Sequence, residues 1–243
     1  MSGDLWRTLW GAARLKAPAI RRWQAQGGVG WSLGLFFAVW SIVGLVGAAA
    51  ATHAQFLAPP VWQRQEQAAA SLAGWLERSP LPPDVPRTLG RTVVAWLDLE
   101  AELAGLPRPL GRPASTVVGG LQEAVAAPYR RLAAWLPYTL LVLGVARALG
   151  GRATLQGMVA AAGLSALPHL LQALAPLPGV GPLFSLLAGV WGAAVYVKAT
   201  AVAHDLDLAR ALLAVALPAL AALTAALGLV AVALNLCSFG LTT

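Results

Sequence analysis

Apolar residues are concentrated in five long segments of this chain, one near its start and four in its second half. Residues 29–51 contain no charged side chain, and as a helix they extend about 34 Å, which is enough to cross a hydrocarbon core of about 30 Å. The later segments are similarly apolar, although prolines interrupt three of them. We predict five transmembrane helices, over residues 29–51, 132–149, 155–174, 180–200 and 208–236.

The segment between the first and second predicted spans, residues 52–131, is more polar, and two proline-rich stretches divide it. Its apolar side chains recur at the spacing of one helix face. The clearest such face contains Leu89, Val93, Trp96, Leu99 and Leu103. We therefore predict amphipathic helices, which either lie on the membrane surface or pack into a small helical lobe.

Residues 1–28 form a basic arm ahead of the first span. Leu5, Trp6, Leu9 and Trp10 recur at helical spacing, and five basic residues accompany a single acidic one. A basic helix with tryptophans on one side is typical of the membrane interface. We predict an interfacial helix, and the alternative is a flexible basic flank that only fixes the orientation of the chain.

The composition excludes a soluble protein. Hydrophobic residues make up 58% of the chain and charged residues only 11%, whereas an average soluble domain has about 25% charged residues. The net charge is +7. In a membrane protein, excess basic residues mark cytoplasmic loops and attract anionic lipid. We therefore expect membrane lipids and other membrane protein subunits as partners, and no nucleic acid.

The short loops give a consistent orientation. If the basic arm is cytoplasmic, five spans place residues 52–131 outside and the uncharged loop 176–182 outside. Arg147 and Arg152 then fall inside, as basic residues usually do. We predict a multi-pass protein of the cell inner membrane, with its N-terminus in the cytoplasm and its C-terminus outside.

Glycines, prolines and one tryptophan follow a recognisable order along residues 130–236. Leu-Gly-Gly at 149–151 ends the second span, Ala-Leu-Pro at 166–168 lies in the third, and Trp191 lies in the fourth. The stretch 204–212 leads into the fifth. In this order the residues resemble the Yip1-domain family of membrane proteins, in its bacterial type.

The resemblance implies an all-α polytopic bundle with one N-terminal span, a long loop and then four spans. Eukaryotic members contact Rab-type GTPases, but their cytoplasmic Tyr-Gly region has no counterpart in residues 1–28. We therefore do not carry GTPase binding over to this chain. The resemblance supplies no catalytic residue.

His169 is the most informative polar residue, because an ionisable group inside a membrane is costly and often functional. On an α-helix, Ser165 and Gln172 would share its face. The functional interpretation is a cofactor-binding or polar site inside the bundle, formed by these three residues. The alternative is a neutral imidazole that bonds a carbonyl freed by Pro168, or one near the outer interface.

The other ionisable residues give no metal or catalytic site. His204, Asp205 and Asp207 are better explained by a helix start, since aspartates cap free N–H groups. His53, His169 and His204 fall at different depths in the predicted topology. We predict no catalytic residue, no metal site and no defined cofactor.

Two functions follow as expectations. The first is a non-enzymatic integral membrane protein that acts as a membrane scaffold or binds partner proteins. The alternative is a small transporter, or an accessory subunit of a larger membrane complex that holds a lipid or cofactor, because proline-broken helices can form sites within the bilayer.

Overall fold

The computed structural model describes residues 2–57, 61–78, 84–105 and 112–239. Most of the two proline-rich stretches, residues 79–83 and 106–111, lies outside the described residues. Every regular element in the described part is a helix, which confirms the all-α class. In chain order the elements are α1 (Ser2–Ala13), α2 (Ala17–Leu57), α3 (Val61–Arg78), α4 (Asp84–Gly105), α5 (Arg112–Ala148), α6 (Leu155–Ala162), a 3-10 helix (Gly163–Leu174), α7 (Gly181–His204) and α8 (Leu208–Phe239).

The chain divides into two compact units. The first contains Met1–Ala48 and Leu121–Thr243, and we call it the bundle. The second contains Ala49–Gly120, and in it α3 packs on α4. Gly90 of α4 approaches Leu76 of α3 closely enough that an added Cβ would lie 3.5 Å from Leu76 Cδ1.

Four helical stretches of the described chain are long and apolar enough to cross a membrane, namely Ala17–Leu57, Leu155–Leu174, Gly181–His204 and Leu208–Leu229. The predicted span 132–149 falls in the second half of α5 and is not among them. Arg131 and Arg147 leave only about 22 Å of uncharged helix between them, which is less than a core of about 30 Å. Crossing by α5 therefore requires that these arginine side chains either extend toward the interfaces or are accommodated by protein groups.

The N-terminal arm is helical and contributes to the bundle core. α1 turns back on α2 so tightly that a Cβ on Gly11 would lie 2.8 Å from Ala19 Cβ. Ala12 and Ile20 are fully buried in the bundle, and the indole of Trp191 donates a hydrogen bond of 2.8 Å to the carbonyl of Ala13. The arm is thus a packed helical hairpin in the structure, and its interfacial position stays a prediction.

Gly28 interrupts α2 between the arm and the spanning part. Its φ of 54° and ψ of −152° lie outside the helical region, and a positive φ of this kind favours glycine. The break is bridged by Trp23, whose Nε1 donates to Ser32 Oγ at 2.7 Å and to the Ala160 carbonyl at 3.1 Å. These bonds fix α2 against α6.

The third predicted span changes helix type at Gly163. Residues Leu155–Ala162 are α-helical, and Thr154 caps them by accepting a hydrogen bond of 3.1 Å from the Gly157 N–H. From Gly163 onward the chain forms a 3-10 helix of 12 residues, although such runs rarely exceed three or four. Pro168 contributes to this change because it has no N–H for an α-helical bond and its ring crowds the carbonyl four residues before it.

Close packing of the bundle depends on small residues. Ala161, Ala162 and Ala199 are fully buried between α6 and α7. Gly163 lies against Ser32 of α2, so a Cβ there would be 2.6 Å from Ser32 Cβ. Small side chains let helices approach where lipid offers no hydrophobic driving force.

Candidate functional site

His169 and Gln172 form the centre of the candidate site. Residues i and i+3 are eclipsed on a 3-10 helix, so the two side chains meet directly. Gln172 Nε2 donates a hydrogen bond to His169 Nδ1 at 3.1 Å. Because Nδ1 accepts, a neutral imidazole carries its proton on Nε2 and can donate from that atom.

Ser165 does not join this pair. Successive residues of a 3-10 helix are about 120° apart, so a residue four positions before His169 lies on another face. The Ser165 hydroxyl instead donates to the Ala162 carbonyl at 2.7 Å. The structure therefore brings together two of the three residues that the α-helical pattern grouped.

Two further side chains reach the site from other helices. The ring of Trp40, in α2, packs on the His169 ring with 4.9 Å between centroids. The guanidinium of Arg131, in α5, lies 4.5 Å from the centroid of the same Trp40 ring. Arginine and histidine thus contact one indole, which links α2, α5 and the 3-10 helix.

Arg131 has no carboxylate partner among the described residues, whereas the adjacent Arg130 pairs with Glu123. The two neighbouring arginines therefore differ in their surroundings. Arg130 is neutralised by an acid on its own helix, and Arg131 places its positive charge against an aromatic ring. A cation held in this way remains able to bind an anion.

Gly192 of α7 makes room for the imidazole. An added Cβ at Gly192 would lie 2.8 Å from His169 Nε2 and 3.4 Å from the Ser165 carbonyl oxygen. A larger residue would displace the ring or separate the helices. The position of His169 between the 3-10 helix and α7 therefore depends on this glycine.

Two indole N–H groups next to the site lack a hydrogen-bond acceptor. Nε1 of Trp40 and Nε1 of Trp135 are buried and have no partner among the described residues. Phe36 joins the two rings, at 6.1 Å from Trp40 and 5.0 Å from Trp135 between centroids. An unpaired buried donor costs free energy, so these groups call for an acceptor that the described chain does not supply.

A second polar group inside the bundle is internally satisfied. The Tyr196 hydroxyl donates to Thr139 Oγ1 at 3.0 Å, and Thr139 donates to the Trp135 carbonyl. The Tyr138 hydroxyl donates at 2.7 Å to the carbonyl of Val215, three residues before Pro218. These bonds join α5, α7 and α8 and need no ligand.

The remaining predicted polar residues lie elsewhere. Asp207 accepts a hydrogen bond from the Arg210 N–H at 2.8 Å at the start of α8, whereas Asp205 ends α7 with a φ of 56°. His204 is buried against Gly151, and His53 is exposed on α2. In the described part of the chain, no three His, Cys, Asp or Glu side chains lie close enough to hold a metal.

Trp40 and Arg131 were not identified as site residues from the sequence. Trp40 has the appearance of an ordinary aromatic residue in an apolar helix, and Arg131 that of a charge before a predicted span. Only the packing of α2 against α5 brings them together. One signal in the sequence could have indicated Arg131: it is an arginine directly before a predicted span, with no acidic residue next to it.

The fold defines a polytopic helical membrane protein, and the 3-10 helix of its bundle contains the hydrogen-bonded pair His169 and Gln172. The family model of the Yip1 domain matches residues 86–230, which is more than half of the chain, and the chain belongs to this family. The match includes Arg131, His169 and Gly192 but not Trp40, which lies ahead of it. The match begins at residue 86, whereas the resemblance in the sequence was described only for residues 130–236. No curated protein and no solved structure gives a match to this chain.

Proposed function

We propose that this chain is a non-enzymatic integral membrane protein that binds and organises partner membrane proteins. Membership of the Yip1 family supports a membrane protein, and this family is not a known enzyme family. The scaffold role goes beyond the family assignment. It is supported by one feature of the second unit, an apolar stripe on α4 that the α3–α4 pair does not use.

The stripe contains Trp96, Leu99 and Leu103, which are 67%, 46% and 55% exposed. These positions lie on one face of α4, because residues three, four and seven apart share a face. The side of α4 that carries Gly90 approaches Leu76 of α3 instead. Among the described residues, α4 therefore has one side that faces its hairpin partner and another side that is exposed. Contiguous exposed apolar surface of this kind marks interaction sites.

The charge beside the stripe favours a protein over a lipid surface. Helices that bind anionic membranes usually carry lysines and arginines on their polar face. The second half of α4 instead exposes Asp98 and Glu102. We therefore propose that the stripe contacts an apolar helix of a partner membrane protein whose rim is basic.

Site-specific photocrosslinking in native membranes tests this proposal. A photoreactive residue at Leu99 should crosslink to one protein species, and the same residue at Glu102, on the polar face, should not. Leu99→Arg should abolish copurification of that species while the chain remains in the membrane. Equal crosslinking at both positions, or crosslinks to lipid alone, would show that the stripe is not a protein interface.

For the orientation, we propose a cytoplasmic N-terminus in a cell inner membrane. Three segments that the charge pattern assigns to the cytoplasm are close to one another in the bundle. Arg21 lies 3.9 Å from Asp205, and Gln24 donates a hydrogen bond of 2.9 Å to the Gly157 carbonyl. Gly151 lies against His204. The three segments therefore lie at the same end of the bundle, and this supports their assignment to one side of the membrane.

The polar site supports a second candidate function, an accessory subunit that holds a lipid. The observation that favours it is a pair of indole N–H groups, of Trp40 and Trp135, that have no acceptor among the described residues. They lie beside Arg131, which has no acidic partner in the same part of the chain. The Tyr196 network, by contrast, satisfies its own donors within the protein.

A further inference from the structure

We propose that Arg131, Trp40 and His169 form a binding site for the phosphate headgroup of an anionic phospholipid. The inference rests on the second candidate function and not on the α4 stripe. It assigns a ligand class to a group of side chains from three helices of the bundle. The argument has three parts, which concern charge, hydrogen-bond donors and depth.

The charge at the site is positive and not compensated within the described chain. Arg131 has no acidic partner there, and its guanidinium lies on the face of Trp40. A guanidinium presents several N–H donors in a plane and binds phosphate through two of them at once. The aromatic ring below it restricts the orientation of this fork without neutralising it.

The donors around Arg131 match an acceptor-rich ligand. Trp40 is only 5% exposed, and its Nε1–H has no acceptor among the described residues. The Nε1–H of Trp135 is also buried and has no acceptor among the described residues. His169 contributes its ring, which packs on that of Trp40 with 4.9 Å between centroids, while its Nε2 lies against Gly192 of α7. A phosphodiester with its ester carbonyls supplies acceptors and a negative charge, whereas a cation or an apolar ligand would satisfy none of these groups.

The depth of the site suits a lipid headgroup. His169 lies five residues before the end of the 3-10 helix at Leu174, which corresponds to about 10 Å of rise. The Arg131 side chain is exposed, so the positive charge of the site can be reached from outside the bundle. A phosphate bound about 10 Å from that end of the helix would still be in contact with the headgroup layer. The acyl chains of the same lipid would stay in the surrounding bilayer.

The test is a lipid titration followed by native mass spectrometry of the full-length protein in a lipid-free detergent. Dioleoyl phosphatidylglycerol should bind with one molecule held more tightly than dioleoyl phosphatidylcholine. Arg131→Gln should weaken this tight binding about tenfold, since one charge-assisted bidentate contact is lost. The matched control is Arg130→Gln, which removes the neighbouring arginine that already pairs with Glu123 and should leave binding unchanged.

A second variant keeps the test independent of folding defects in Arg131→Gln. Trp40→Phe retains an aromatic ring under the guanidinium but removes the Nε1–H donor, and it should weaken binding about threefold. Equal affinity in the wild type and in both site variants would overturn the proposal. Competition by millimolar inorganic phosphate would also overturn it, because the ligand would then be a soluble anion. Leu99→Arg on α4 should retain the lipid, so failure of the partner proposal and failure of this one are distinguishable.

Discussion

Gly151 lies directly against the buried ring of His204, and this contact joins the loop after α5 to the end of α7. His204 is 1% exposed, and neither ring nitrogen has a partner among the described residues. The N–H of Arg152 donates at 3.3 Å to the His204 carbonyl. Glycine is needed at 151 because any Cβ would overlap the imidazole and approach the Ala146 carbonyl to 2.8 Å.

Gly151→Ala should therefore destabilise the bundle by about 1–3 kcal/mol, the usual cost of an extra methyl group in a packed interior. Unfolding in mixed detergent micelles measures this cost. The matched control is Gly144→Ala, since a Cβ at Gly144 of α5 meets nothing within 4 Å. That variant should be neutral or slightly more stable, because alanine favours helix over glycine. Equal stability of the two variants would show that the 151–204 contact is not close in solution.

The sequence was sufficient to predict the helices and most of the spans. Apolar runs of about 20 residues have few alternatives to a membrane helix, so the stretches Leu155–Leu174, Gly181–His204 and Leu208–Leu229 fall where the pattern placed them. The order of glycines and prolines was sufficient for the family. These properties depend on local composition, which a single sequence contains.

The geometry of the site was only partly predictable. Grouping His169 with Gln172 succeeded because residues three apart are close on both α- and 3-10 helices. Ser165 was grouped on an assumed α-helical period, which the change of helix type at Gly163 removes. The approach of Arg131 to Trp40 depends on which helices are neighbours, and in membranes that choice follows from packing of small residues rather than from hydrophobicity.

The buried indole of Trp23 offers a direct test of how the arm is attached to the bundle. Its Nε1–H donates to Ser32 Oγ and to the Ala160 carbonyl. Trp23→Phe should lose about 1 kcal/mol of stability, because an interhelical hydrogen bond in a membrane protein contributes about this amount.

Trp31→Phe is the control for that substitution, since the Trp31 side chain is half exposed while its ring packs edge-on against Trp23. We expect a change of less than about 0.5 kcal/mol for this variant. The same mixed-micelle unfolding assay compares the two. If both substitutions cost the same, the contribution of Trp23 is aromatic packing and the hydrogen bonds add nothing.

The bond between Tyr196 and Thr139 links α7 to α5 and should be visible as an interaction energy. A double-mutant cycle with Tyr196→Phe and Thr139→Val should give a coupling of about 0.6 kcal/mol, the average for such bonds within membrane proteins. Thr224→Val serves as the reference, because Thr224 is exposed on α8 and bonds only its own helix at Ala221. In a second cycle, with Thr224→Val and Thr139→Val, the two effects should be additive. A coupling energy of similar size in both cycles would contradict a direct bond between Tyr196 and Thr139.

Whether α5 crosses the membrane is the remaining question of topology, since its uncharged stretch is short. At the C-terminal end of this stretch, the guanidinium of Arg147 donates hydrogen bonds of 3.2 and 3.0 Å to the Ala153 carbonyl. Arg131 at the other end rests on Trp40. Both charges are thus accommodated by protein groups, which lowers the cost of a short span. We expect α5 to cross and the segments before and after it to lie on opposite sides.

Single cysteines in a Cys237→Ala background measure this directly. Glu66→Cys, before α5, should react with a membrane-impermeant maleimide on intact spheroplasts, because the proposed orientation places it outside. Gln156→Cys, at the start of α6, should react only after the membrane is permeabilised. Both positions are exposed, so lack of reaction reflects the side of the membrane rather than burial. Reaction of both cysteines from the same side would show that α5 does not cross, whereas an exchange of the two results would reverse the proposed orientation and leave the crossing intact.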